Sequence, residues 1–372
     1  MWLNARWFFW VLLVLCILLL VTPLVIRDKF TNSLFIDGES YKSLRLAEEF
    51  RENGLLFEDE LSYGGRVYLG EQAWYSLLSL NPLFLVKYLS VIFGILSFII
   101  FYLILSKIKP SIKGLASLFL IVSPPFLYLF STATKYVAAI FFILLGFYFL
   151  LSKKEWFAYV SFFVSGFFSV FSLLLVVILF LFKGIRKKEY KDFFILLSGF
   201  VVLLFVYFYK VFILGLPEVF FRISNFSFVK FLSYLLFEFG SNFGFGFFFL
   251  VIAFIGIYVY YKNKYKFLLV YFFYFLLFFF SFYAKFLLLY LIFVLTFFAA
   301  IGFITLLNHE WRSNVFRFFT ILVVCCGLLF TFVVFLDRAG EFYPNVNYDK
   351  AINFLKSQQS DNVVFSDYRN GD

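Results

Sequence analysis

Long apolar runs separated by short charged turns dominate this chain. The first run, Trp7 to Ile26, is about 20 residues long, the length that crosses a bilayer as one helix. No small-residue cleavage site follows it, so it reads as a retained span and not a removed signal peptide. Further membrane helices are expected at 83 to 105, 114 to 130, 137 to 151, 193 to 216, 244 to 261, 267 to 283, 286 to 307 and 317 to 336. The run from 156 to 182 lies between two basic turns, Lys153-Lys154 and Lys183 to Lys191. A single crossing would put those turns on opposite sides, so a broken pair of short helices turning near Ser165-Gly166 is expected. The fold class is therefore all-α and polytopic, with about eleven membrane helices.

Two polar stretches interrupt this pattern: a first loop at 27 to 81 and a tail at 337 to 372. In the loop, Asp37-Gly38-Glu39-Ser40-Tyr41 opens an amphipathic helix of about 39 to 53. Tyr41, Leu44, Ala47 and Phe50 recur at helical spacing, and Glu48, Glu49, Arg51 and Glu52 take the other side. Gly54 suits the position just past its end. A helix of this kind is expected to lie along the membrane interface. Gly64-Gly65, between short aromatic and aliphatic runs, suggests a tight turn or hairpin.

With 64% hydrophobic residues, 66 Phe and a mean hydropathy of +0.96, the chain is excluded from the soluble globular class. The net charge of +10 then reports orientation, not a nucleic-acid partner. The broken pair at 156 to 182 leaves sixteen basic residues on one face, and short loops on the other hold only Lys135, Arg222, Lys230 and Lys285. By the positive-inside rule the amino terminus is cytoplasmic, the carboxyl terminus extracytoplasmic, and the location an integral, multi-pass plasma-membrane one. Cys16, Cys325 and Cys326 fall inside expected spans and argue for no disulfide. None of the 22 carboxylates falls in a span interior, which argues against a proton- or sodium-driven pump. Ten of them crowd the first loop, so polar chemistry is expected at one membrane face.

The run FIDGESYKSLRLAEEFRENG, then EDELSYGGR, placed directly after the first span, resembles the first external loop of GT-C glycosyltransferases. It is most similar to archaeal oligosaccharyltransferase catalytic subunits and their relatives. The resemblance extends to Ser123-Pro124-Pro125 at the outer end of the third span, to the broken pair at 156 to 182, and to the tail YDKAINFLKSQQSDNVVFSDYRNGD. It implies a GT-C-like membrane domain at 1 to 336 and, at 337 to 372, the start of a truncated soluble domain, with a partner subunit expected to complete it. It further implies transfer of a sugar or oligosaccharide from a polyprenyl-phosphate or polyprenyl-pyrophosphate donor to a protein or glycan acceptor on the external face.

By the same resemblance Asp37 is the catalytic carboxylate, engaging the acceptor or, with Mg2+ or Mn2+ as the cofactor, holding a metal. The capping role that Asp fills at helix starts is open beside it. Glu39, Asp59 and Glu60 are supporting acids, with a solvated acidic face as the alternative. Lys285, Arg45 and Arg66 are candidate ligands of the donor phosphate, against snorkelling for Lys285 and exposed pairing for the arginines. The pattern departs from the family at Ser131-Thr132-Ala133-Thr134-Lys135, where a second acidic motif is expected and no acid stands. Two other readings are a lipid-linked saccharide flippase, which needs a polar path to the cytoplasmic side, and a catalytically silent GT-C-like scaffold.

Overall fold

The structure, a computed structural model, describes residues 6–30, 35, 37–56, 58–59, 66–67, 71–188, 190–214, 228–239, 241, 244–263, 278–279, 281, 285–311 and 313–339. The expected span at 267 to 283 and nearly all of the tail lie largely or wholly outside these residues. Among the described residues the chain is helical where the apolar runs predict it: α1 (Arg6–Phe30), α2 (Gly38–Asn53), α3 (Ala73–Leu78), α4 (Pro82–Ile108), α5 (Lys113–Val122), α6 (Pro124–Ser131), α7 (Lys135–Leu151), α8 (Glu155–Phe168), α9 (Val170–Lys187), α10 (Lys191–Leu214), α11 (Phe228–Leu235), α12 (Phe247–Asn263), α13 (Leu288–Asn308) and α14 (Asn314–Ala339). A two-residue ribbon, β1 (Glu58–Asp59) with β2 (Arg66–Val67), pairs antiparallel with Asp59 opposite Arg66, and the expected turn at Gly64-Gly65 lies outside the described residues.

Four helices, α1, α4, α13 and α14, are long and apolar enough to cross a membrane among the described residues. The α5–α6 pair makes a fifth if its two halves are one span. The helices α7, α9 and α12 are apolar but shorter. Large apolar side chains such as Trp10, Phe205, Phe318 and Phe330 stand exposed on the outside of the bundle, the surface a hydrocarbon solvent favours.

Two breaks differ from the expected spans. The run at 114 to 130 is not one straight helix: it bends by 62° at Ser123, whose backbone is extended. Pro124 disfavours helical geometry at the residue before it, and neither Pro124 nor Pro125 has an N–H to continue the ladder. Ser-Pro-Pro is thus the elbow between α5 and α6. The second break falls at Ser169, three residues beyond the expected Ser165-Gly166. Ser169 is extended, and its hydroxyl accepts from the Ser172 N–H to start α9. Phe162 and Phe180 lie with ring centroids 5.8 Å apart, whereas one continuous helix would hold them about 27 Å apart. The two helices therefore fold back on each other, and Tyr159 and Lys183 meet at Asp192 at the far end. Both basic turns lie at that same end, as the charge pattern requires.

The main core joins α1, α4 to α7 and α12 to α14, and a second core joins α8, α9 and α10 around Phe162, Leu173 and Phe180. The backbones of α12 and α13 approach closely at two glycines. A Cβ on Gly256 would lie 1.9 Å from the Phe298 carbonyl oxygen, and one on Gly302 would lie 2.0 Å from that of Ile252. Small residues let helix backbones touch where lipid supplies no hydrophobic drive for association.

Candidate functional site

The site begins where α1 hands over to the first loop. Arg27, in the last turn of α1, is fully buried and donates from Nε to the Phe35 carbonyl at 3.2 Å. Two residues on, Asp37 caps α2: its Oδ1 accepts from the Ser40 N–H at 3.1 Å and from the Ser40 hydroxyl at 2.7 Å. The helix ends as its sequence predicts, with Gly54 at φ 77° and its N–H on the Phe50 carbonyl.

Capping alone asks for neither burial nor a distant partner, and Asp37 has both. It is 5% exposed, and its Oδ2 accepts from the Tyr128 hydroxyl at 2.9 Å. Tyr128 stands on α6, so the Ser-Pro-Pro elbow sets the direction from which it reaches the carboxylate. Burial pushes the Asp37 carboxyl above its ordinary value. Hydrogen bonds from Ser40 and Tyr128 pull it back, and the nearby Glu39 charge adds to the rise.

The buried face of α2 also carries polar groups, unlike the apolar face its spacing suggests. Ser40, Ser43, Leu46 and Ala47 are buried, and Tyr41, Leu44 and Phe50 are only partly so. The serines are satisfied by the backbone of one residue, Ala133, in the loop after α6. The Ala133 N–H donates to Ser40 Oγ at 2.9 Å, and the Ala133 carbonyl accepts from Ser43 Oγ at 2.6 Å and from Trp74 Nε1 at 3.3 Å. Three side chains of the first loop thus hold both backbone groups of one residue in the segment where the family's second acidic motif is expected.

Glu71 and Lys135 form an ion pair next to this residue. The other Glu71 oxygen accepts from the Val170 N–H at 3.2 Å, at the start of α9. Lys135 Nζ also lies 5.6 Å from the Tyr136 ring centre. Tyr136 stacks on Phe286 at 5.0 Å and meets Tyr290 edge-on, and the Tyr290 hydroxyl bonds Ser172. Glu39 is exposed and within electrostatic range of Tyr128 and Tyr136. One end of the bundle therefore gathers an acidic pole at Asp37 and Glu39, tyrosines between, and a paired lysine opposite.

The candidates named from sequence are partly brought together. Asp37 and Glu39 are in this cluster. Lys285 opens a short 3-10 turn whose next residue, Phe286, packs on Tyr136 and Phe171, so its backbone borders the cluster. Arg45 is half-buried on α2. Asp59 and Arg66 face each other in the ribbon, where the backbone alone is described, and Glu60 lies outside the described residues. Sequence reasoning passed over Arg27, Glu71, Tyr128 and Lys135. The one available signal was that Lys135 stands where an acid was expected.

A divalent ion is a poor fit to this donor set. Both Asp37 oxygens already face N–H and O–H donors, and no group of three His, Cys, Asp or Glu side chains comes together among the described residues. Mg2+ asks for about six oxygen ligands in near-octahedral order.

No protein-family model matches the chain, and no curated protein sequence matches it. Its fold does match a solved one, the crystal structure of the Archaeoglobus fulgidus oligosaccharyltransferase in complex with zinc and sulfate. The TM-score is 0.62 at 13% sequence identity, over 94% of this chain. The chain spans 56% of that protein's length. The resemblance seen in the first loop is thus matched by a likeness of fold across nearly the whole chain.

Proposed function

We propose that this chain is a membrane glycosyltransferase of the oligosaccharyltransferase type, moving a sugar or oligosaccharide from a polyprenyl-phosphate or polyprenyl-pyrophosphate donor to a protein or glycan acceptor. The observation that carries this reading is Asp37: a buried carboxylate, fixed from two helices, at the polar end of an oligosaccharyltransferase-like fold. Each carboxylate oxygen has two acceptor positions. Oδ2 receives Tyr128 and keeps one position for an N–H or O–H of the acceptor.

In the reaction the acceptor nitrogen or oxygen attacks the anomeric carbon. The bond from that carbon to the donor phosphate oxygen breaks with its electron pair, and the acceptor's proton passes to Asp37. Burial raises the proton affinity of Asp37 and so favours that transfer. On this reading the site is extracytoplasmic, the amino terminus cytoplasmic, and the helices make about eleven crossings. Lys285, Arg45 and Arg66 hold the donor phosphate, and Glu39, Asp59 and Glu60 support the acidic pole.

The test is sugar release from a radiolabelled lipid-linked saccharide pool by membranes carrying the chain, against Asp37→Asn at equal expression. Transfer should fall at least about a hundredfold in the variant. Equal turnover in both would remove Asp37 from the mechanism. Donor retained without turnover in either would move the reading to a flippase.

A further inference from the structure

The disagreement between this donor set and a divalent ion leaves the site in need of positive charge, and one side chain supplies it. We propose that the Lys135 ammonium takes the place of a metal ion here, parting from Glu71 and binding the phosphate of an isoprenyl-phosphate ligand. This rests on the lipid-linked donor reading above.

Lys135 is held in register with Asp37 through three hydrogen bonds. Asp37 accepts from Ser40 Oγ, which accepts from the Ala133 N–H, while the Ala133 carbonyl accepts from Ser43 Oγ. Lys135 follows two residues later, at the first position of α7. Its side chain is 28% exposed and that of Glu71 16%, so the ammonium is both fixed at its root and reachable from the cluster.

The pair is built so that it can part at low cost. Breaking a half-buried ion pair is expensive mainly when the abandoned partner is left unpaired. Glu71 is not abandoned, because its second oxygen keeps the Val170 N–H at the positive end of α9. A phosphate offers Lys135 the same charge-assisted bond that Glu71 offers now. Glu71 is in this sense the anion that occupies Lys135 until the ligand arrives. Lys135 then does at the phosphate what a cation would do, without needing carboxylates grouped around it.

The experiment uses the full chain in detergent with farnesyl phosphate as the probe and measures its Kd with and without EDTA. Mn2+ binding is followed separately by electron paramagnetic resonance. The expected results are a Kd unchanged by EDTA, no Asp37-dependent Mn2+ site, and a Kd at least about tenfold weaker in Lys135→Gln with partial recovery in Lys135→Arg. Glu71→Gln decides between a ligand role and a structural ion pair. A structural pair makes Glu71→Gln as damaging as Lys135→Gln, whereas the proposal requires it to bind farnesyl phosphate at least as tightly as the unaltered chain. Thermal stability of each variant, measured alongside, separates misfolding from lost binding.

Binding abolished by EDTA and restored by Mn2+, with the Mn2+ signal lost in Asp37→Asn, would overturn the lysine's role and leave the donor reading standing. Equal losses in Glu71→Gln and Lys135→Gln would also overturn it. No binding of farnesyl phosphate by the unaltered chain would sink both the inference and the donor reading.

Discussion

At Asp37, the proposed catalytic carboxylate, stability and the proposed activity pull in opposite directions. Its carboxyl is raised above the ordinary value of 3.8, so the folded chain binds this proton more tightly than the unfolded chain does. The stabilisation of the protonated form is complete below about pH 3.8 and is lost as pH rises through the elevated folded value. Asparagine keeps a capping oxygen and cannot ionise. Asp37→Asn should therefore match the unaltered chain at acid pH and equal or exceed it in melting temperature at neutral pH, while losing transfer activity. A variant that melts lower at neutral pH would assign Asp37 to capping and structure alone. The cap itself was legible from Asp-Gly-Glu-Ser ahead of an amphipathic run, because a cap is settled within four residues. Tyr128 was not, since its bond to Asp37 joins residues 91 apart and no local pattern encodes it.

Among the elements, the helices were the most legible part, since apolar length alone sets them. Their breaks were less so. The elbow at Ser123 follows from two prolines whose effect is local and certain, yet the same three residues read equally well as the end of a span. The fold-back at Ser169 was placed three residues early, because Gly166 draws attention as a breaker. In the structure Gly166 lies within α8, where a Cβ would meet Leu203 at 2.5 Å, so it serves packing and not turning. The α12–α13 crossing carries a prediction of its own. Gly256→Val must push apart two backbones already in contact and should destabilise the bundle by about 1–3 kcal/mol or more. Gly199, whose Cβ would meet only a Phe163 ring edge at 3.0 Å, should tolerate alanine far better, with melting temperatures in detergent as the measure.

Over the whole molecule, the charge pattern anticipated what the packing delivers: both basic turns at one end and the polar cluster at the other. That arrangement is testable without knowing any substrate. In a background lacking the native cysteines, Lys154→Cys and Lys188→Cys should react with a membrane-impermeant maleimide from the same side, and Ser79→Cys from the opposite side. Labelling of positions 154 and 188 from opposite sides would break the fold-back reading and the orientation derived from it. The second pole of the site was hidden in the sequence for a reason that operates at this scale. Glu71 was one of ten acids in a crowded loop, and only the packing of that loop against α7 and α9 selects it.

The backbone of Ala133, gripped by Ser40, Ser43 and Trp74, also fixes an order of assembly. A ribosome delivers the first loop long before the residues that anchor it, Tyr128, Ala133, Lys135 and Val170. Until the third and fourth hydrophobic segments have entered the bilayer, the loop has nothing to close upon and Asp37 lacks its second helix. A nascent chain halted before residue 124 should leave that loop open to external protease, and one extended past residue 170 should protect it. The polar end of the molecule is thus completed late, by segments that arrive after the residue they anchor.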